Sequence, residues 1–79
     1  RDPKRIYTTC NAIATIWADL PDWRFGQLMY NFQAYMMREK GIDIFYLEED
    51  KFVECLREYV DQFSFELVAA GRGDQFFSF

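Results

Sequence analysis

The stretch Pro21-Asp22-Trp23-Arg24-Phe25-Gly26-Gln27-Leu28-Met29-Tyr30-Asn31-Phe32-Gln33-Ala34-Tyr35-Met36-Met37-Arg38-Glu39-Lys40 decides how the chain folds. At about 100° per residue, Phe25, Leu28, Met29, Phe32, Tyr35 and Met36 fall on one side of a helix, which predicts a core face. Trp23, Tyr30, Ala34 and Met37 form a second apolar stripe roughly opposite the first. A polar line, Arg24, Gln27, Asn31 and Arg38, runs between them. A helix that is apolar on two sides is covered on two sides, by its own chain or by a partner. Pro21 stops whatever precedes the helix, and Asp22 is read as its N-cap. Gly26 costs about 1 kcal/mol against Ala inside a helix. It marks either the close approach of another backbone or the tolerance of a first turn.

Working outward, Gly41 is the expected helix stop, with Arg38 and Lys40 suited to the C-terminal dipole. The segment Ile42-Asp43-Ile44-Phe45-Tyr46-Leu47 is too short to be a paired strand. It reads as a single-turn or extended connector that plugs Phe45, with Leu47, into the core. Glu48-Glu49-Asp50 suits the start of a third helix. The stripe Phe52, Cys55, Leu56, Tyr59, Val60, Phe63, Leu67 and Ala70 carries that helix to Gly71, with a break near Asp61 to Ser64 left open. Upstream, Asp2-Pro3 reads as N-cap and first helical position. Ile6, Cys10, Ile13, Trp17 and Leu20 make a seam spaced by fours and threes. The short link Leu20-Pro21-Asp22 favours antiparallel neighbours. The expectation is an all-α, three-helix fold, about 3–19, 23–40 and 48–70, as one domain over 1–70. The helix 23–40 is expected to lie between the other two. A Phe-rich tail follows over 71–79.

Composition narrows the function. A chain of 79 residues buries about 60% of its unfolded surface, but 51% of its residues are hydrophobic and 20% aromatic, enough for a dense small core plus an interface. The net charge of −4 argues against a nucleic-acid-binding face and against anionic membranes. No uncharged run reaches the roughly 18 residues that a membrane span needs. No signal peptide is read, and the start at Arg1 rather than Met is what a trimmed chain would show. Histidine is absent, which removes the commonest general base and metal ligand. Cys10 and Cys55 lack metal-type spacing and read as buried free thiols of a reducing cytosol. No nucleophile has an adjacent base, so no catalytic, cofactor or metal residue is assigned and no small-molecule substrate is expected.

Besides Trp23, Tyr30 and Met37 of the second stripe, three groups are candidates for partner binding. Arg24, Gln27 and Asn31 share one helix face. They either recognise a partner group, Arg offering a planar fork, or form an internal network in which Arg24 pairs with Asp43 or Glu48 and pins the connector. Between Asp43 and Glu66 there are eight acids against two cations, Lys51 and Arg57. Asp50, Glu54, Glu58 and Asp61 recur at helical spacing, as a solvated face or as a carboxylate stripe that imitates a phosphate backbone. The tail carries Phe76, Phe77 and Phe79, which either fold back or hook a neighbouring copy. Arg72-Gly73-Asp74 matches an integrin-recognition tripeptide and is read as chance.

The run Trp17 … Leu20-Pro21-Asp22-Trp23-Arg24-Phe25-Gly26-Gln27-Leu28 … Asn31, with Asp43-Ile44-Phe45-Tyr46-Leu47-Glu48-Glu49, resembles a pattern in small uncharacterised bacterial and phage-borne helical proteins. It spans about the middle half of the chain and leaves out the tail. The resemblance implies a prokaryotic, cytoplasmic, mobile-element origin and carries no established activity. The resulting expectation is a non-catalytic protein-interaction module. It self-associates as a homo-oligomer through Trp23, Tyr30, Met37 and Phe76 to Phe79. The alternative is an acidic inhibitor that occupies a basic groove of another protein. Direct nucleic-acid binding is not expected under either reading.

Overall fold

The computed structural model describes the backbone of residues 1–70 and the side chains of residues 1–64. The expectations placed on Phe76, Phe77, Phe79 and the 72–74 tripeptide lie outside the described residues. Three helices follow in order, α1 (Lys4–Trp17), α2 (Phe25–Lys40) and α3 (Glu49–Ala70), with one 3-10 turn at Ile44–Tyr46 between α2 and α3. Among the described residues there is no strand, and no helix is long and apolar enough to cross a membrane. The all-α, three-helix expectation holds.

α1 is capped from Asp2, whose Oδ1 accepts the Lys4 N–H at 2.9 Å. Its buried side is Thr9, Ala12, Ile13, Ile16 and Trp17, continued by Leu20, at the three-four spacing of an amphipathic helix. The expected seam is therefore rotated by roughly 60° about the helix axis. Ile6 and Cys10, which belonged to it, are exposed. Thr9 and Ala12 are half-buried in their place, and α1 runs along α3.

The link between α1 and α2 is a hydrogen-bonded turn, not a helix start. The Trp23 N–H donates to the Leu20 carbonyl at 3.1 Å, with Pro21 at the second position that its fixed φ favours. The Trp17 indole N–H then donates to the Trp23 carbonyl at 2.8 Å. These bonds hold Trp23 in the link, so α2 begins two residues later than expected. Arg24, not Asp22, takes the N-cap position with extended backbone (φ −74°, ψ 154°). At its other end α2 stops as expected. Gly41 adopts φ 65°, ψ 27°, a left-handed conformation that glycine reaches without a Cβ penalty. The N–H groups of Gly41 and Ile42 donate to the Met37 and Met36 carbonyls.

The core is Ile16, Leu20, Trp23, Leu28, Phe32, Met36, Cys55, Leu56, Tyr59 and Val60. α3 supplies its middle, and both other helices lie against α3, whereas α1 and α2 approach one another less. The expected central place of α2 is thus corrected. α3 runs unbroken through 61–64. Aromatic rings in series tie α2 and the link to α3: Phe52–Phe32 at 5.2 Å, Phe32–Tyr59 at 5.9 Å, Tyr59–Phe63 within α3 at 6.0 Å and Phe63–Trp23 of the link at 5.0 Å. Edge-on and tilted ring pairs at these distances add to the burial they accompany.

Candidate functional site

The face of α2 opposite its core residues carries exposed apolar side chains. Leu28, Phe32 and Met36 are fully buried on the inner side, while Tyr30 is 76% and Met37 50% exposed on the outer side. Ala34 and Gly26 share that outer side and are exposed too. The second stripe therefore exists, with one member removed. Trp23 is only 2% exposed, because it lies in the link and faces Phe63, outside the helical periodicity that placed it with Tyr30. Phe25, expected in the core, is 48% exposed. At the first position of α2 its ring lies over Trp17 at 5.4 Å instead of entering the core.

The connector adds to this face. Gln33 lies on the helix surface beside Tyr30 and Met37, three residues after one and four before the other. Its Nε2 donates to Asp43 Oδ1 at 2.9 Å and its Oε1 accepts the Ile44 N–H at 2.9 Å. Asp43 Oδ1 also accepts the Phe45 N–H at 2.9 Å. These bonds hold the Asp43 carboxyl below its ordinary value, the Phe45 N–H first and Gln33 second. Ile42, Ile44 and Leu47 pack on the core. Phe45 and Tyr46 do not, being 81% and 79% exposed. The expected plugging by Phe45 is corrected: the 3-10 turn directs Ile44 inward and leaves Phe45 and Tyr46 outside, their rings edge to face at 4.9 Å.

The polar trio does not act together. Gln27 Oε1 accepts the Arg24 N–H at 2.9 Å, one half of a capping box. Asn31 instead lines a groove of about 510 Å³ between α2 and α3, floored by Trp23, Tyr35, Tyr59 and Phe63 with Arg38 on its rim. Nor does Arg24 pin the connector, since Asp43 is held by Gln33 and Glu48 by Arg1 at 3.3 Å. Gln33 is the residue that sequence reasoning missed. Its signal was an amide at the border of the core stripe, on a helix that a carboxylate-bearing connector must pass.

Each partner-binding candidate on the acidic stripe faces a cation. Glu54 meets Lys51 at 3.3 Å, Glu58 meets Lys40 at 3.4 Å, and Asp61 meets Arg57 Nε at 3.0 Å. Arg57 also reaches Asp19, and Arg5 reaches Glu49. Of the two thiols, Cys55 is buried and Cys10 exposed, and both are free. The burial expected of Cys10 does not hold, because the rotation of α1 carries it outward. Among the described residues no cluster of His, Cys, Asp and Glu could hold a metal ion. Comparison with protein-family models, with curated proteins and with solved structures finds no match.

Proposed function

We propose that the chain is a non-catalytic protein-interaction module that self-associates through the outer face of α2 and the adjoining connector. The observation that carries this reading is the exposure of Tyr30 and Met37 on the outer face of α2 and of Phe45 and Tyr46 on the connector that Gln33 ties to that helix. Exposed apolar side chains that adjoin one another are costly to leave in water and mark interaction sites. Aromatic side chains with few rotamers lose little entropy when such a site is covered. Exposed Tyr30 and Met37 fit the role expected of them. Trp23, buried against Phe63, is not part of that surface.

The acidic-mimic reading is the less supported of the two. Glu54, Glu58 and Asp61 are engaged by cations of the same chain, which leaves less uncompensated charge for a basic groove. On the favoured reading the module works in a reducing, cytoplasmic setting that keeps Cys10 and Cys55 as thiols, in line with the bacterial or phage-borne pattern it resembles.

Sedimentation equilibrium tests the proposal. The unmodified chain is expected to associate reversibly at micromolar concentration, and Tyr30→Asp and Met37→Asp to sediment as monomers with unchanged helical circular dichroism. An unmodified chain that stays monomeric up to millimolar concentration would overturn it.

A further inference from the structure

We infer that two copies pair through α2 in antiparallel register, Tyr30 seated over the partner's Ala34 and Met37 over the partner's Gly26. The inference rests on the self-association reading and gives it a geometry. Along the outer face of α2 the residues run Gly26, Tyr30, Ala34, Met37, which is small, large, small, large. An added Cβ at Gly26 would meet nothing within 4 Å, so the space above it is open in the single chain. A parallel pair sets like against like: ring on ring at Tyr30, thioether on thioether at Met37, and gaps at Gly26 and Ala34. An antiparallel pair centred near residue 32 sets large on small at every level, the self-complementary surface that a two-fold interface requires.

Area and charge agree with a second copy as the occupant. Aromatic side chains offer about 150–250 Å² each. Tyr30, Phe45 and Tyr46 at about four-fifths exposure, with Met37 half exposed, offer roughly 500 Å² per copy as an upper bound. A pair with both connectors fully covered would bury up to roughly 1,000 Å², the lower bound of a specific interface, which predicts a weak, reversible dimer. The four residues in the middle of the face carry no charge, so pairing traps no unpartnered ion. In an antiparallel pair like edges meet. Both Gln33-held connectors then lie on the same side of the dimer, near its axis, and the four rings of Phe45 and Tyr46 cover one rim.

Cysteine cross-linking tests the register, in a Cys10→Ser background that removes the exposed thiol. Gly26→Cys and Met37→Cys chains are prepared separately and oxidised mildly, alone and mixed. The expected result is a disulfide between a Gly26→Cys chain and a Met37→Cys chain, at least tenfold faster than either chain with itself. In the antiparallel register two Gly26 positions lie roughly 17 Å apart along the axis, on a 1.5 Å rise per residue, beyond disulfide reach. Faster like-with-like cross-linking would overturn the register, as would dimers on sedimentation that show neither product. Absence of any dimer on sedimentation would overturn the self-association reading itself.

Discussion

Gln33 uses both ends of one amide to hold the connector, and Ile44 relies on it for its backbone partner. Gln33→Ala removes two hydrogen bonds and strands a half-buried N–H, a loss of about 1–3 kcal/mol. A lower urea midpoint with an unchanged slope is the expected result, and the dimer should weaken in parallel as Phe45 and Tyr46 lose their support. Tyr59 makes a second prediction. Burial pushes its hydroxyl up to about 12 from an ordinary value of 10.0. The folded state therefore holds that proton more tightly than the unfolded chain. The contribution is complete below pH 10 and is lost as pH rises towards 12. Alkaline titration followed by circular dichroism should show stability falling across that window, and Tyr59→Phe should flatten the fall. The inner residues of α2, Leu28, Phe32 and Met36, were legible from periodicity because they sit in the middle of the helix. Trp23 and Phe25 were not. One precedes the helix and the other opens it, and there the link's hydrogen bonds, not the 3.6-residue period, decide which ring goes inside.

The stop of α2 could be read closely, since Gly41 acts through its own backbone limit, whereas its start lies two residues beyond the expected one. The rotations and neighbours of the helices could not be read. Periodicity weights large apolar residues, so it favours Ile6 and Cys10, which are exposed, over Thr9 and Ala12, which are half-buried. For the same reason α3 emerged as the shared support, although α2 has the more conspicuous pattern. Gly26 lets these ideas be tested on a single helix. With open space around it, Gly26→Ala should raise the stability of the monomer by up to about 1 kcal/mol through helix propensity. In the antiparallel pair the added methyl would occupy the place of the partner's Met37. A higher melting temperature at low concentration, together with a weaker dimer by sedimentation, is the expected combination. A Gly26→Ala chain that dimerises more tightly would contradict the proposed register.

The excess of acids over 43–66 looked uncompensated because the cations that answer it lie far away in the chain. Arg1 and Arg5 reach Glu48 and Glu49, and Lys40 reaches Glu58. Such surface pairs contribute little each, but they disperse the negative charge over the molecule. Each copy still carries −4, so two copies repel through solvent by on the order of 1 kcal/mol at low salt. Raising salt from about 20 to 200 mM should screen that repulsion and tighten the dimer several-fold, as read by sedimentation equilibrium. Weakening with salt would point back to the carboxylate surface. The two sides of α2 lie half a turn apart and have no side chain in common: Leu28, Phe32 and Met36 face one way, Gly26, Tyr30, Ala34 and Met37 the other. Selection, or a designer, can therefore rewrite the outer face without reopening the question of how the chain folds.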